Sequence, residues 1–262
     1  MKEILQPGPA EALASLLDVD LPDLDRDGLP PLWHWFYLLD RPAQADLGPD
    51  GHPVRGTIPA PPEPGRRRMW AGGRVRTLGP LRCGLPAERH TEVLSSTEKQ
   101  GRTGRLTFVV TGHRIVQSGA VVVEEEQDIV YRDAASGQVE AAIEEPEVPA
   151  AEDEWAIDVS PTLLFRFSAL TYNAHRIHYD RDYARDVEGY PGLLTHGPLQ
   201  ALAMAEAARK QGSTGRLAFD YRLVSPLFDH QGMIVRADEG GTAVRDRHGR
   251  RTATGTMRSL DR

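Results

Sequence analysis

The sequence contains few of the residues that stabilise secreted proteins or anchor proteins in membranes. Its 262 residues include one cysteine, Cys83, so a disulfide within the chain and a metal site built from several cysteines are both excluded. No segment approaches the run of roughly 18 apolar residues that a membrane-spanning helix needs. The first residues, MKEILQPGPAEALASLL, carry acids and prolines where a signal peptide has an uninterrupted apolar core. We therefore expect a cytoplasmic protein that does not enter a membrane.

Positive charge is also scarce. The 31 Lys and Arg residues are outnumbered by 38 Asp and Glu residues, which gives a net charge of −7 at pH 7. Proteins that bind nucleic acids need a cationic face that displaces counterions, so we expect no nucleic-acid partner. The mean hydropathy of −0.44 and the hydrophobic share of 40% are ordinary for a folded globular protein. A chain of this length forms one large domain or two smaller ones.

The first half of the chain has the pattern of an antiparallel sheet. The segment PLWHWFYLLD at 31–40 is predicted to be helical, and the Pro/Gly-rich stretch after it, as far as Arg68, is predicted to be a loop. Four β-like runs follow, of which the later two are rich in β-branched residues and are separated by a Ser-Gly turn signal. Residues 133–157 are acidic and contain prolines, which is typical of a linker. We predict a first unit over 1–140, a linker over 141–157 and a second unit over 158–262.

The second half is predicted to be a helix enclosed by a second sheet. Ser160 and Pro161 favour the start of a short helix that ends near Leu170. A longer helix, LQALAMAEAARK, follows Pro198 and ends before Gly212, and its first two turns are apolar on nearly every side. Four strand candidates follow, so a curved sheet can wrap this helix. The predicted fold class is α+β, with two antiparallel sheet units of which the first has a weak or missing helix.

The segment TYNAHRIHYD, residues 171–180, contains two histidines three residues apart. A neutral imidazole accepts a proton from water and returns it near pH 7, as water addition across a double bond requires. His178 is our candidate for this base, and the alternative is that His175 and His178 only satisfy backbone carbonyls. A metal site is a weaker hypothesis, because two histidines at this spacing are a weak signal. Its ligands would be His175, His178, Asp180 and His196, but we expect no metal.

A second motif, THGPL at 195–199, stands where the longer helix begins. Gly197 precedes a helix-starting proline, so its N–H is free and points outwards at the positive end of the helix dipole. Such a donor suits a thioester oxygen that gains negative charge during a reaction. The alternative is an ordinary helix start with Pro198 in the first turn. The short distance along the chain to His178 favours the functional interpretation.

Together the two motifs resemble the MaoC-like hydratase and dehydratase family of hot-dog proteins. In that family a D-x-N-P-x-H loop is followed by His-Gly at the start of a central helix. The stretches FRFSALTYNAHRIHYD and GYPGLLTHGPL are similar to its double hot-dog branch, which contains mesaconyl-C4-CoA and itaconyl-CoA hydratases and mitochondrial hydroxyacyl-thioester dehydratases. LPPLWHWFYLLD, LGPDGHP and RRMWAGG extend the resemblance over nearly the whole chain. The resemblance implies a double hot-dog fold.

The resemblance also implies that His178 is the catalytic base and Gly197 the oxyanion donor. The second catalytic residue of the family, an aspartate, falls on Asn173. An amide holds a water through its oxygen but is not a useful proton acceptor. We therefore predict a variant mechanism in which Asn173 positions the water and His178 is the base. Further predicted substrate-binding residues in the two motifs are Tyr172, His175 and His196.

Arginines near the motifs predict the chemistry of the substrate. Arg166 and Arg176 flank the catalytic segment, and a guanidinium pairs with a carboxylate through two hydrogen bonds. We therefore expect a C4–C5 dicarboxylic monothioester as the substrate. The candidates for binding the phosphates of CoA, chosen by charge alone, are Arg66, Arg67, Arg68 and Arg222.

The predicted function is that of an acyl-CoA hydratase, reversible as a dehydratase, that acts on a short 2-enoyl-CoA. The CoA thioester is the substrate, and we expect no cofactor and a homodimer or higher homo-oligomer. A hot-dog thioesterase is the first alternative, and it would need a carboxylate on the longer helix, which offers Gln200 and Glu206. A noncatalytic module that binds acyl-CoA or a partner is the second alternative.

Overall fold

The computed structural model describes residues 1–56, 66–101, 104–133 and 146–261. The α-helices in these ranges are α1 Gly8–Leu17, α2 Pro161–Leu170 and α3 Gly197–Lys210. The strands are β1 Lys2–Ile4, β2 Arg66–Thr77, β3 Pro86–Gly101, β4 Gly104–Gln117, β5 Ala120–Asp133, β6 Trp155–Ile157, β7 Leu217–Leu223, β8 Met233–Asp238, β9 Gly241–Arg245 and β10 Arg251–Ser259. No helix in the described residues combines the length and the hydrophobicity that crossing a membrane requires.

All ten strands of the described residues belong to one antiparallel sheet. Their order is β1-β3-β4-β5-β2-β7-β10-β9-β8-β6. Strand β2 joins the two halves of the chain, because it pairs with β5 on one side and with β7 on the other. Val75 of β2, for example, lies opposite Glu125 and opposite Phe219. The eight strand candidates of the sequence correspond to β2–β5 and β7–β10.

Helix α3 forms the centre of the core in the second half. It begins at Gly197 with Pro198 in its first turn, and every residue from Leu199 to Ala208 is buried. The helix packs against β2 and against all of β7–β10. Burial on every side follows from its leucines, alanines and methionine, which leave no polar face for solvent. The prediction of an enclosed helix is confirmed.

Helix α2 positions the segment that follows it. Ser160 caps the helix by accepting a hydrogen bond of 3.2 Å from the N–H of Leu163. Phe167 packs edge-to-face against Phe36, with ring centroids 5.6 Å apart. Helix α2 also packs against α1. Residues near the N-terminus therefore support the helix that leads into TYNAHRIHYD.

The segment PLWHWFYLLD differs from its prediction. It forms a single 3₁₀ turn, Trp33–Phe36, because Leu32 before it has a φ of 71° and Tyr37 after it is extended. The α-helix of this region is α1, which the sequence analysis did not single out. In the predicted linker, residues 141–145 lie outside the described residues, and the last three residues form β6, which pairs with β8.

A loop of the first half docks on the segment 171–180. The N–H of Arg176 donates to the carbonyl of Asp50 over 2.9 Å, and the Asp50 side chain in turn holds His52. Gly51 permits this approach, because its φ is 87° and a Cβ there would overlap the backbone carbonyl of Ala174. The docked loop thereby brings His52 next to the segment that contains the predicted base.

We expect Gly51→Ala to destabilise the protein by about 2 kcal/mol or more, because backbone strain is combined with a clash against main chain. Gly84→Ala is the matched control. Gly84 also has a positive φ, 77°, but nothing lies within 4 Å of an added Cβ, so the strain alone should cost about 1 kcal/mol. Urea unfolding curves of both variants measure the difference. Equal destabilisation would contradict the close approach of the loop.

Candidate active site

The segment 171–180 and the start of α3 meet at a cavity of about 1440 Å³. The loop at 47–54 and residues of β2, β4 and β5 complete its wall. Pockets for small molecules have volumes of roughly 300–1,000 Å³. The cavity is therefore large enough for a ligand with a long arm.

His178 is held in one tautomer by the backbone. Its Nδ1 lies 2.7 Å from the carbonyl oxygen of Leu194, and since that oxygen can only accept, Nδ1 carries the hydrogen. The N–H of Leu194 donates in return to the carbonyl of Ile177 over 3.0 Å. His178 is 7% exposed and lines the cavity. Its Nε2 is consequently the nitrogen with a lone pair available to a proton.

His178 belongs to a row of imidazole rings. His196 stacks on one face of His178, with ring centroids 3.6 Å apart and an interplanar angle of 18°. His175 meets it edge-on at 5.4 Å, and His52 lies 3.9 Å from His175. Ser168 fixes the far end of the row through a contact of 2.8 Å with Nε2 of His196. The two motifs and the loop of the first half thus supply one continuous cluster.

Burial keeps these rings neutral. Removal from water lowers the pKa of His178 to about 4, although the hydrogen bond to Leu194 partly opposes this effect. Burial is also the main cause that lowers the pKa of His52, of His175 and of His196. At neutral pH His178 is therefore unprotonated on Nε2 and able to accept a proton from water.

Gly197 presents its N–H at the start of α3. No acceptor of the described residues binds this N–H, and it lies at the positive end of the helix dipole. Gly197 and His178 line the same cavity. A Cβ on Gly197 would overlap the side chain of Leu223, which also lines the cavity. A larger residue would therefore crowd the ligand space by displacing Leu223.

Asn173 closes a tight turn. Its Oδ1 accepts a hydrogen bond of 3.0 Å from the N–H of His175, and its own N–H donates to the carbonyl of Ser168 over 2.8 Å. An amide oxygen has two lone pairs, so one remains for a water. Tyr172 beside it has a φ of 52°, is largely exposed and lines the cavity. The water-holding role stays a prediction, and the structure adds that Asn173 orients the backbone of His175.

Three of the arginines predicted to bind substrate lie outside the cavity. Arg176 forms an ion pair of 2.7 Å with Asp180 and donates to the carbonyl of Pro49 over 3.1 Å. Arg166 on α2 and Arg222 on β7 are exposed. None of the three lines the cavity. The structure thus places these three arginines outside the cavity that contains His178.

Arg67 and Arg68 do line the cavity, whereas the side chain of Arg66 lies outside the described residues. Arg67 is neutralised by Glu188, with Nε and a carboxylate oxygen 2.6 Å apart. Arg68 makes no ion pair or hydrogen bond with the described residues. Its role as a ligand for the phosphates of CoA stays a prediction.

The carboxylates that line the cavity are engaged by donors. Although burial opposes the ionisation of Glu125, a hydrogen bond from His34 lowers its pKa to about 2. Trp35 and Gln127 also donate to Glu125, each over 2.8 Å. The other cavity carboxylates in the described residues, Asp40, Asp50 and Glu188, are paired with Arg89, His52 and Arg67. These pairs leave an imidazole as the best candidate for the base.

The metal ligands considered from the sequence do not converge, because Asp180 turns to Arg176 and lies outside the cavity. Another trio, Asp50, His52 and His175, brings one ligand atom from each residue within 4.8 Å of the others. The positive charge of Arg68 acts on both of these histidines and opposes a cation there.

Sequence reasoning missed several residues of the site. Asp50 and His52 belong to LGPDGHP, which carried a resemblance but no assigned role, and their Asp-x-His spacing in a glycine-containing loop was the available signal. Ser168 gave no signal, since a serine inside an apolar helix has no distinctive pattern. Each of these residues reaches the site through contacts between distant parts of the chain.

Comparison with known proteins identifies the family. The family described as hydroxyacyl-thioester dehydratase type 2 matches residues 32–229. The chain belongs to this family. It is 51% identical over 202 residues to mesaconyl-C(4)-CoA hydratase of Chloroflexus aurantiacus, a match that covers 77% of this chain and 71% of that protein.

Solved structures share the fold of this dehydratase-family chain. A MaoC-like dehydratase from Phytophthora capsici has a TM-score of 0.65 at 16% identity, over 98% of this chain and 94% of the other. A conserved hypothetical protein of Mycobacterium tuberculosis, described as a double hot-dog, has a TM-score of 0.52 at 12% identity, over 97% and 92%. At such identities the likeness concerns the fold alone. The predicted family and the α+β double hot-dog fold are confirmed.

We expect this member of the family to lose stability between pH 7 and pH 5. The pKa of His178 is about 4 in the folded state against 6.5 ordinarily, so the unfolded chain binds the proton first as the pH falls. The contribution of neutral His178 to the free energy of unfolding is fully present above pH 6.5. It has fallen by about 2 kcal/mol at pH 5 and falls further towards pH 4. Urea unfolding of the parent and of His178→Gln at both pH values measures this loss. A parent and variant with the same pH dependence would contradict the depressed pKa.

Proposed function

We propose that the protein is a hydro-lyase that adds water reversibly to a short 2-enoyl-CoA. The observation that carries this proposal is the presence, in one cavity, of a neutral imidazole with an available Nε2 and a helix-start N–H without an acceptor in the described residues. The relative from Chloroflexus bears the name of a hydratase, which supports the same class of reaction.

In the hydration direction, His178 Nε2 takes a proton from water while the water oxygen forms a bond to the β-carbon of the enoyl thioester. The electron pair of the double bond shifts towards the thioester oxygen, where the N–H of Gly197 stabilises the negative charge. The imidazolium then returns its proton to the α-carbon. One water molecule is thus added, and dehydration follows the same steps in reverse.

Asn173, in this scheme, positions groups and does not titrate. Its remaining lone pair holds the attacking water, while the turn that it closes orients His175. Tyr172, His175 and His196 line the cavity beside His178 and contact the acyl group or its water. These roles account for the two imidazoles, the amide and the tyrosine of the segment 171–178.

A thioesterase is disfavoured by the contacts of α3. Glu206 is fully buried, accepts a hydrogen bond of 2.7 Å from Trp33 and pairs with Arg209 at 2.7 Å. Gln200 lines the cavity, but its side-chain oxygen is bound by the hydroxyl of Thr252 at 2.7 Å. Neither residue offers a free carboxylate to the thioester, which the hydrolytic alternative would need.

For the acyl group, we propose a C4–C5 dicarboxylic monothioester such as mesaconyl-C4-CoA or itaconyl-CoA. The name of the relative that is 51% identical supports this substrate class. The reaction consists of proton transfers and one C–O bond, so it needs neither an organic cofactor nor a metal. The homo-oligomeric state and the cytoplasmic location stay predictions.

The function is tested by supplying mesaconyl-C4-CoA and crotonyl-CoA and following enone absorbance together with free thiol. We expect enone absorbance to fall without release of thiol. When the 3-hydroxyacyl-CoA product is supplied instead, dehydration should make enone absorbance rise. Thiol release at the same rate would indicate a thioesterase, and binding without turnover would indicate a noncatalytic module.

We expect His178→Gln to lower kcat/KM for hydration at least about 100-fold, because a general acid–base group is lost. The matched control is His90→Gln, since His90 is an exposed histidine of β3 that does not line the cavity. Circular dichroism confirms that both variants are folded. Hydration by His178→Gln at the parent rate would remove His178 from the mechanism.

A further inference from the structure

Arg68 faces the cavity from β2. It lies opposite Tyr131 of β5 and two residues before Trp70, and both Arg68 and Trp70 line the cavity. Within residues 1–56, 66–101, 104–133 and 146–261, no ion pair or hydrogen bond engages its guanidinium. Its neighbour Arg67 differs, because Glu188 neutralises it. Two adjacent arginines thus face the same cavity in different electrostatic states.

Arg68 is half-buried in the wall of the cavity. Partial removal from water lowers the pKa of Arg68. The carboxylate of Asp50 attracts it from a distance, but both oxygens of Asp50 are bound by His52. A half-buried charge that has no hydrogen-bonded partner among the described residues favours an anionic ligand at this point.

The location of Arg68 indicates which anion it meets. Arg68 lines the same cavity as His52 and His175, and its charge adds to the effect of burial, which lowers the pKa of both histidines. His175 is in turn 5.4 Å from His178. An acyl chain that reacts at His178 therefore shares one cavity with Arg68. The phosphates of CoA are separated from the reacting double bond by the whole pantetheine arm.

We propose that Arg68 binds the distal carboxylate of a dicarboxylic acyl-CoA and thereby selects the substrate. The inference rests on the proposed hydratase function and adds the residue that determines its specificity. The planar guanidinium can hold a carboxylate through two parallel hydrogen bonds. The sequence predicted this carboxylate-binding role for Arg166 and Arg176. For Arg68 the sequence predicted binding to a CoA phosphate, so the proposal gives Arg68 a different ligand.

The kinetic test compares kcat/KM for mesaconyl-C4-CoA and for crotonyl-CoA, which lacks the carboxylate. We expect Arg68→Met to lower the value for mesaconyl-C4-CoA by about 30- to 1,000-fold, the size of a lost hydrogen-bonded charge pair. The value for crotonyl-CoA should change by less than about threefold. Arg68→Lys keeps the charge but loses the planar guanidinium that donates two parallel hydrogen bonds, so we expect an intermediate loss of kcat/KM for mesaconyl-C4-CoA. Arg114→Met, an exposed arginine of β4 outside the cavity, should change neither value.

A binding test separates this proposal from the hydratase function. Freshly prepared succinyl-CoA and butyryl-CoA have no double bond to hydrate and carry the same CoA phosphates, so calorimetry reports the carboxylate alone. We expect the parent to bind succinyl-CoA more tightly and Arg68→Met to lose that preference while keeping its affinity for butyryl-CoA.

If Arg68→Met lowers the affinity for succinyl-CoA and for butyryl-CoA equally, Arg68 binds the phosphates. If neither affinity changes, Arg68 does not belong to the binding site. Either result overturns the proposal. Loss of the preference in a protein that hydrates no enoyl-CoA would leave the carboxylate subsite standing and refute the hydratase function instead.

Discussion

The hydrogen bond from Nδ1 of His178 to the carbonyl of Leu194 is the contact on which the geometry of the site depends. It decides which ring nitrogen carries the hydrogen and leaves Nε2 as the acceptor. The return bond from the N–H of Leu194 to Ile177 closes a pair between the segment 171–180 and the residues before α3. Because Gly197 follows Leu194 by three residues, the same pairing brings the free N–H and the imidazole to one wall of the cavity.

Burial sets the charge of the site. The row of imidazoles stays neutral because it is removed from water, and the cavity carboxylates described above are each held by a donor. Asn173 fits this pattern, since a carboxylate at that position would stabilise the imidazolium and raise the pKa of His178. Arg68 adds a positive charge that has no partner among the described residues, and a carboxylate of the substrate would neutralise this charge.

The parts of the structure that depend on neighbouring residues could be predicted from the sequence. Turn residues and β-branched runs indicated eight strands, the proline and glycine around α3 indicated its ends, and His178 and Gly197 stood out by their local motifs. The arginines could not be assigned in this way. Arg176 lies in the right motif but binds Asp180 and Pro49, whereas β-pairing and the approach at Gly51 bring Arg68 and His52 to the site from far along the chain. Such long-range contacts leave no local pattern.

The central claim is that a buried, neutral His178 is the base, and the pH dependence of kcat/KM for hydration tests it most directly. A base with a pKa of about 4 leaves kcat/KM unchanged within about twofold from pH 8 to pH 5 while the protein stays folded. Asn173→Asp keeps the turn, because a carboxylate oxygen also accepts the N–H of His175. Its charge should raise the pKa of the base, so that kcat/KM falls within this range. A parent enzyme whose kcat/KM falls about 30-fold by pH 5, as an ordinary exposed histidine would require, would contradict the claim.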